Sequence, residues 1–301
     1  MNPIASPHNP RLQELRRLRR RRERARSGRF LAEGEDLIAA AERAGWPAVA
    51  GFRAAGSGLG GEGFLDVEPA ALAEVSTLGS GARVIGVYEQ RWLRAPVGPL
   101  CVYLHGVSDP GNVGAVLRAA LAFGASCVAL GPGCADPCSP KAVRAGMGAI
   151  FAVPLARARA AEDLPGQRIA LVVDSRPPAQ PLEEVCRVVG PVRDATGAGL
   201  DRAIGEGRMG SARDSRVGRP GEDPTGPAAG ALTLLIGAER EGLPAEIVAA
   251  CERVAHIPIA NDSLNAAMAA TIALYEMTRG WRSRLEAGEP GPSSPARVSA
   301  S

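Results

Sequence analysis

The sequence predicts an α/β protein built on a parallel sheet with helices on both faces, preceded by a smaller α/β unit. Three observations carry that expectation. From residue 100 to 176, short apolar runs alternate with helical segments, as consecutive strand–helix–strand units do. After a break rich in Gly, Arg, Asp and Pro, a strongly apolar run at 231–236 resumes the alternation. Residues 30–95 hold short strands and helices of their own, and Pro96, Gly98 and Pro99 then mark a linker. The expected organisation is an N-terminal unit over 1–95 and a main domain over 96–286, with a disordered insertion at about 187–230 and a disordered tail over 287–301.

The chain has 301 residues, enough for two domains, and its 46% apolar content allows a sizeable core. The net charge is only +3, but it is unevenly spread: ten arginines and two acids, Glu14 and Glu23, lie between Arg11 and Arg29. Leu12, Leu15 and Leu18 form a narrow apolar stripe there, so 1–29 reads as one arginine-rich helix after a short Pro/Asn lead-in. So lopsided a surface attracts phosphate through charge and bidentate geometry, which nominates Arg16, Arg17, Arg20 and Arg24 as nucleic-acid contacts, the alternative being a solvated helix or a disordered basic arm. No secretory pattern and no apolar run of about 18 residues is present, so a soluble, cytoplasmic protein without a membrane partner is expected. The six scattered cysteines read as free thiols. His8, His105 and His256 have no partner at metal-ligand spacing, and Cys134 and Cys138 lack a second pair, so no metal is expected.

In order along the chain, residues 30–34 lead into a helix at 35–44 that Gly45 stops. Short β-like pieces follow at 49–52 and 64–67, then a helix around 69–78 and a strand at 83–88. The glycine-rich stretch 56–63 lacks the Lys-Ser/Thr of a P-loop and reads as a surface turn. The main domain opens with a strand at 101–105 and a turn in which Asn112 is placed as N-cap, followed by a helix at 113–123. A strand at 127–130, a helical segment from Pro140 and strand-like pieces at 149–153 and 169–174 come next. After the insertion stand a strand at 231–236, a loop, and a helix at 245–252. The final unit runs from 254 to 277: a strand at 254–259, a polar turn, and a helix capped by Asp262 or Ser263 with Asn265 in its first turn. Ala266, Ala267, Ala269 and Ala270 make that helix slender, which suits either a pocket wall or a plain core helix.

Three segments that follow strands carry the chemistry. In Asn112-Val-Gly114-Ala-Val-Leu-Arg118, Gly114 and Arg118 share a helix face, where Gly114 leaves room for a ligand or another chain and Arg118 presents a fixed cation. In Gly237-x-Glu239-x-x-Gly242, two glycines bracket a carboxylate at the carboxyl end of a strand, where open α/β sheets place ligands. The third segment is Ser263-Leu264-Asn265. No dinucleotide fingerprint lies between a strand and a helix, and there is no nucleophile elbow.

Together these segments resemble the SpoU (TrmH-like) branch of the SPOUT RNA methyltransferases. S-D-P-G-N-V-G-A-V-L-R-A-A-L-A-F-G-A is similar to the family's first motif, L-L-I-G-A-E-R-E-G-L-P to its second, and I-P-I followed by S-L-N-A-A-M-A-A to its third. The opening N-P-R-L-Q-E-L-R-R-L and G-R-F-L-A-E-G-E-D-L resemble the small, L30e-like RNA-binding domain that precedes the catalytic domain in this family. The resemblance implies a trefoil-knotted α/β catalytic domain, S-adenosyl-L-methionine as methyl donor, a homodimer, and methyl transfer to a ribose 2′-hydroxyl, most readily in 23S ribosomal RNA. A transfer RNA target, or a non-catalytic knotted RNA-binding protein, are the alternatives. It also implies that Gly237, Ile257 and Leu264 hold the donor, with Ile236 and Ser263 close by. Arg118 is implied as the catalytic arginine, supported by Asn112, Glu239 and Asn265. A guanidinium is a poor base, so Arg118 is expected to orient phosphate and stabilise developing alkoxide charge. Gly146 stands where many relatives carry a serine.

Overall fold

The computed structural model describes residues 2–78, 81–173, 178–189, 230–260 and 263–286. The expected tail at 287–301 and residues 190–229 of the expected insertion fall outside them.

The N-terminal part carries helices α1 (Pro10–Leu18) and α2 (Arg21–Ser27), strand β1 (Arg29–Glu33), helix α3 (Glu35–Arg43), strands β2 (Ala50–Ala54) and β3 (Leu65–Val67), helix α4 (Pro69–Val75) and strand β4 (Val84–Glu89). Its four-stranded sheet has the order β1-β4-β2-β3. The arginine-rich segment is thus two helices rather than one. Asn9 caps α1, the chain turns at Arg19 and Arg20, and α2 ends on Gly28 at φ 66°. The turn lets Leu12, Leu15 and Leu18 bury fully against Leu72, Val75 and Ile85. Of the lead-in expected at 30–34, residues 30–33 belong with Arg29 to β1, the strand that pairs with β4.

The second part holds β5 (Leu100–Leu104), α5 (Pro110–Ala122), β6 (Cys127–Leu130), α6 (Pro140–Ala145), β7 (Leu155–Arg157), β8 (Gln167–Val172), β9 (Gln180–Pro181), α7 (Leu182–Val189), β10 (Leu232–Ile236), α8 (Ala245–Ala249), β11 (Arg253–His256) and α9 (Ala266–Glu286). Its seven strands run β7-β6-β5-β10-β8-β11-β9, and every neighbouring pair is parallel. Alternate residues serve opposite faces. Val102, Leu104, Val128 and Leu130 join a cluster with α5 and α9, whereas Cys101, Tyr103, Cys127 and Ala129 join one with Ile247 of α8. Helices therefore cover both faces, as the alternation predicted.

Several boundaries differ from expectation. Asp109, not Asn112, caps α5, because its carboxylate accepts from the Asn112 N–H at 3.1 Å. Residues 149–151 form a 3-10 turn rather than a strand. The proline at 258 and the exposed residues beyond it end β11 at His256, short of 259. Helix α7 takes in residues 187–189 from the expected insertion. All six cysteines are free.

The two parts share one apolar cluster. Phe151, on the 3-10 turn, packs among Phe30, Trp46 and Tyr88 with ring centroids 5.8, 5.3 and 4.9 Å away. Burial pushes the Tyr88 phenol up to about 12. Beside the rings, the buried Glu33 carboxylate accepts from Ser76 Oγ, Thr77 N–H and Thr77 Oγ1 at 2.7–2.8 Å, and Arg144 of α6 donates to Thr77 Oγ1 at 2.7 Å.

Inside the large sheet, Arg168 of β8 donates to Glu252, just before the neighbouring β11, through its backbone N–H at 2.7 Å and through Nη2 at 2.5 Å. The Arg168 hydrogen bonds hold the Glu252 carboxyl down at about 2, from an ordinary 4.5. A depressed carboxyl contributes stability that is present above its unfolded value and is lost as pH falls through the folded one. Urea denaturation between pH 5 and about 2 should therefore show Glu252→Gln losing less stability on acidification than the parent chain. Superimposable profiles would show that the pair adds nothing.

Candidate active site

Helix α5, the loop after β10 and the start of α9 meet at the carboxyl rim of the large sheet. Asp109 fixes the start of α5 and pairs with Lys141 of α6 at 2.6 Å. The Lys141 ammonium holds the Asp109 carboxyl below the usual carboxylate range. This anchors Asn112 in the first turn of α5. Its Nδ2 donates to Glu239 Oε1, and its Oδ1 accepts from Asn265 Nδ2 at 2.9 Å. A carboxylate is acceptor-only, so Glu239 sets which way the Asn112 amide points, and that amide in turn orients Asn265. Asn265 Oδ1 accepts from the Ala267 N–H at 2.9 Å, so Asn265 caps α9 in the place expected of Asp262 or Ser263. Asp262 lies outside the described residues, and Ser263 is exposed.

A cavity of about 290 Å³ opens beside this bridge. Ile236, Gly237, Glu239, Ile257 and Leu264 line it, so four of the five nominated donor-holding residues share one hollow. Ser263 is not part of the lining. The walls are apolar apart from backbone and the charged residues of the β10 loop, which suits a ligand with a flat apolar part and a charged end. Gly237 is required by packing: a Cβ there would run into the Gly242 carbonyl group. A wider hollow of about 770 Å³ lies at the opposite edge beside β9 and α8, and none of the nominated residues lines it.

Arg118 lies two turns further along α5, is exposed, and has no polar partner among the described residues. Gly114 does not leave space for a ligand. A Cβ there would meet the Ala142 carbonyl oxygen and the Ala145 Cβ, so it serves the close crossing of α5 and α6. Gly146 lies in the same crossing, with its Cβ direction 3.4 Å from the Gly114 carbonyl oxygen.

The nominated RNA arginines divide. Arg17 and Arg20 are exposed, and Arg16 pairs at the surface with Glu74 at 3.1 Å. Arg24 is a correction. It is 3% exposed and pairs with Asp136 at 2.7 Å, while its Nη1 donates to the Leu18 and Arg19 carbonyls that end α1. A guanidinium committed to a carboxylate and two carbonyls in the interior joins the two parts of the chain and leaves no face for RNA.

Sequence reading missed the wall supplied by residues 171–173 at the end of β8, and Arg240 and Glu241 in the β10 loop. A strand-end signal exists at 171–173, but that β8 neighbours β10 is a fact of sheet order. His105 shares a hydrogen bond of 3.1 Å with the Tyr103 hydroxyl, and burial lowers its pKa.

The arrangement is that of an open parallel sheet with a cavity at its carboxyl rim, where such sheets place ligands. The chain belongs to the SpoU rRNA methylase family, whose pattern matches residues 99–194 and 210–275. The pattern of the MRM3-like substrate binding domain matches residues 9–90. The chain is 32% identical over 204 residues to the mitochondrial rRNA methyltransferase 3 of Xenopus laevis, covering 60% of this chain and 48% of that protein. It is 30% identical over 214 residues to an uncharacterized tRNA/rRNA methyltransferase of Mycobacterium tuberculosis, covering 66% and 63%. It thus spans about half to two thirds of the length of these relatives. An AdoMet-bound rRNA methyltransferase from Sinorhizobium meliloti superposes with a TM-score of 0.68 at 26% identity, covering 93% of this chain and 98% of that one. The SpoU methyltransferase AviRb from Streptomyces viridochromogenes, in complex with AdoMet, gives 0.65 at 25% identity, covering 92% and 99%.

The bridge should be visible in stability. Asn265→Ala removes both the α9 cap and the bond to Asn112, and should cost about 1 kcal/mol, the usual value of a cap. Chemical denaturation reads this directly. An unchanged midpoint would mean that water replaces both contacts.

Proposed function

We propose that this chain is an S-adenosylmethionine-dependent RNA methyltransferase that methylates a ribose 2′-hydroxyl in ribosomal RNA. The observation that carries the reading is the Glu239–Asn112–Asn265 bridge set beside the cavity lined by Ile236, Gly237, Ile257 and Leu264. Gly237, Ile257 and Leu264 hold the donor, largely through backbone and apolar contact, and the cavity's apolar walls and charged loop fit it. S-adenosylmethionine supplies an electrophilic methyl group on a sulfonium.

The nucleophile is a neutral sugar hydroxyl, which must shed its proton as it attacks. Arg118 faces solvent with no carboxylate partner among the described residues, so its charge is available to a ribose or phosphate. It orients the RNA and stabilises the alkoxide charge that develops. The Asn112 bridge keeps the Glu239 loop and the α9 start fixed, so that alignment is set before substrate arrives. The match to a substrate binding domain over 9–90 supports residues 1–95 as the RNA-recognition unit and 96–286 as the transfer unit. The names of the relatives favour ribosomal over transfer RNA.

Two further parts belong to this reading. A trefoil-knotted path in the transfer unit is supported by the chain's membership of the SpoU family and by the side-chain-poor start of α9, Ala266, Ala267, Ala269 and Ala270, which a threaded helix requires. A homodimer is supported by the outer face of α9, where Met268, Ile272 and Tyr275 stand at i, i+4 and i+7, 37–57% exposed.

Arg118→Ala should lower methyl transfer to ribosomal RNA by about 10²–10³-fold, the scale of losing one charge-stabilising donor. Its affinity for S-adenosylmethionine, read by calorimetry, should stay near that of the parent chain. Full activity in the variant would remove Arg118 from the mechanism.

A further inference from the structure

The segment joining the two sheets, Arg91-Trp92-Leu93-Arg94, is built around stacked guanidinium and indole groups. Arg91 lies over Trp46 with its Cζ 4.1 Å from the ring centroid, and Arg157 lies over Trp92 at the same 4.1 Å. Arg91, Arg94 and Arg157 are all exposed, and none of them pairs with a carboxylate among the described residues. Arg16, Arg26, Arg29 and Arg83, by contrast, each meet a glutamate.

The Trp92–Arg157 stack is held from behind. The Leu93 N–H donates to the Leu155 carbonyl at 2.7 Å, which lays the segment along edge strand β7. The Trp92 Nε1–H donates to Gln90 Oε1 at 3.1 Å, and Gln90 Nε2 donates to the Arg24 carbonyl at 3.1 Å. Linker, edge strand and α2 therefore fix one indole, and the indole holds one guanidinium flat. Such a guanidinium has lost much of its rotamer entropy in advance. Its outer face is open for stacking and its N–H edges for phosphate.

Its position relates it to the candidate active site. Ile236, Leu104, Leu130 and Arg157 lie in one transverse row of the large sheet through the β10, β5, β6 and β7 register. Ile236 lines the cavity. Arg157 is three strand spacings away on the same carboxyl rim, about 14 Å at the usual ~4.8 Å per strand.

We propose that the Trp92–Arg157 stack, with Arg91 and Arg94 beside it, is a subsite for an unpaired nucleotide of the RNA flanking the one that receives the methyl group; this rests on the function proposed above. A base stacks on the outer face of the Arg157 guanidinium, and the neighbouring arginines hold its phosphates. Duplex RNA offers no free base face and gains only the charge contact.

The test uses the full chain and two fluorescein-labelled probes, a mixed-sequence single-stranded 20-nucleotide RNA and its blunt duplex, read by anisotropy. Arg157→Ala should weaken single-strand binding by about ten-fold, within the range of one lost base stack, and duplex binding much less. Arg157→Lys keeps the charge but not the plane and should recover only a small part. Trp92→Leu, which removes the backing ring, should act like Arg157→Ala. An unchanged single-strand affinity, full rescue by lysine, equal weakening on both probes, or no binding of the single strand by the parent chain would overturn the subsite. Calorimetry with S-adenosylmethionine on the same variants separates the two claims: a parent chain that takes up no donor refutes the proposed function, whereas intact donor uptake with unchanged RNA affinity refutes the subsite alone.

Discussion

Asn112 is the residue on which the candidate site depends. It is anchored by Asp109 at the start of α5 and reaches two other loops with the two ends of a single amide, Glu239 through its nitrogen and Asn265 through its oxygen. Those loops are 127 and 153 residues further along the chain. An amide is suited to this place because it both donates and accepts. A carboxylate there would repel Glu239, and a hydroxyl would not span both partners. Asn265 passes the constraint on by capping α9, so the polar bridge and the slender helix that walls the cavity are fixed together.

A second constraint is the mounting of the N-terminal part. A flexible tether between a recognition unit and a transfer unit would leave their spacing free. Here the spacing is set by Phe151 inserted among Phe30, Trp46 and Tyr88, by the Glu33–Thr77–Arg144 chain, and by the buried Arg24–Asp136 pair. Breaking one partner of a buried pair leaves an uncompensated charge, so such contacts strongly favour one relative placement. The arginines of α1 and α2 are held at a set place relative to the sheet rim.

Much of this was legible in the sequence because it is local. Apolar runs marked most strands of the two sheets, though not β1, β7 or β9, and the family resemblance of the three strand-following motifs pointed to Asn112, Glu239, Asn265 and the cavity residues Ile236, Gly237, Ile257 and Leu264. What was not legible depends on contacts between distant segments. Arg24 looks like its neighbours in a run of arginines, and only the fold puts Asp136 opposite it. Gly114 reads as open space until α6 is laid across it. Asp109 and Asn112 both suit an N-cap, and the pairing of Asp109 with Lys141 decides between them. Residues 149–151 have strand-like composition but are drawn into a 3-10 turn by the burial of Phe151 in the aromatic cluster.

The central claim is that Glu239 and Asn112 act as one unit in aligning donor and sugar. A double-mutant cycle tests it most directly: methyl transfer to ribosomal RNA under single-turnover conditions for Glu239→Ala, Asn112→Ala and the combined variant. If the two residues work only through their shared bond, the double variant should be no slower than the slower single one. Losses that multiply independently would show that the bridge seen in the structure does not organise the site.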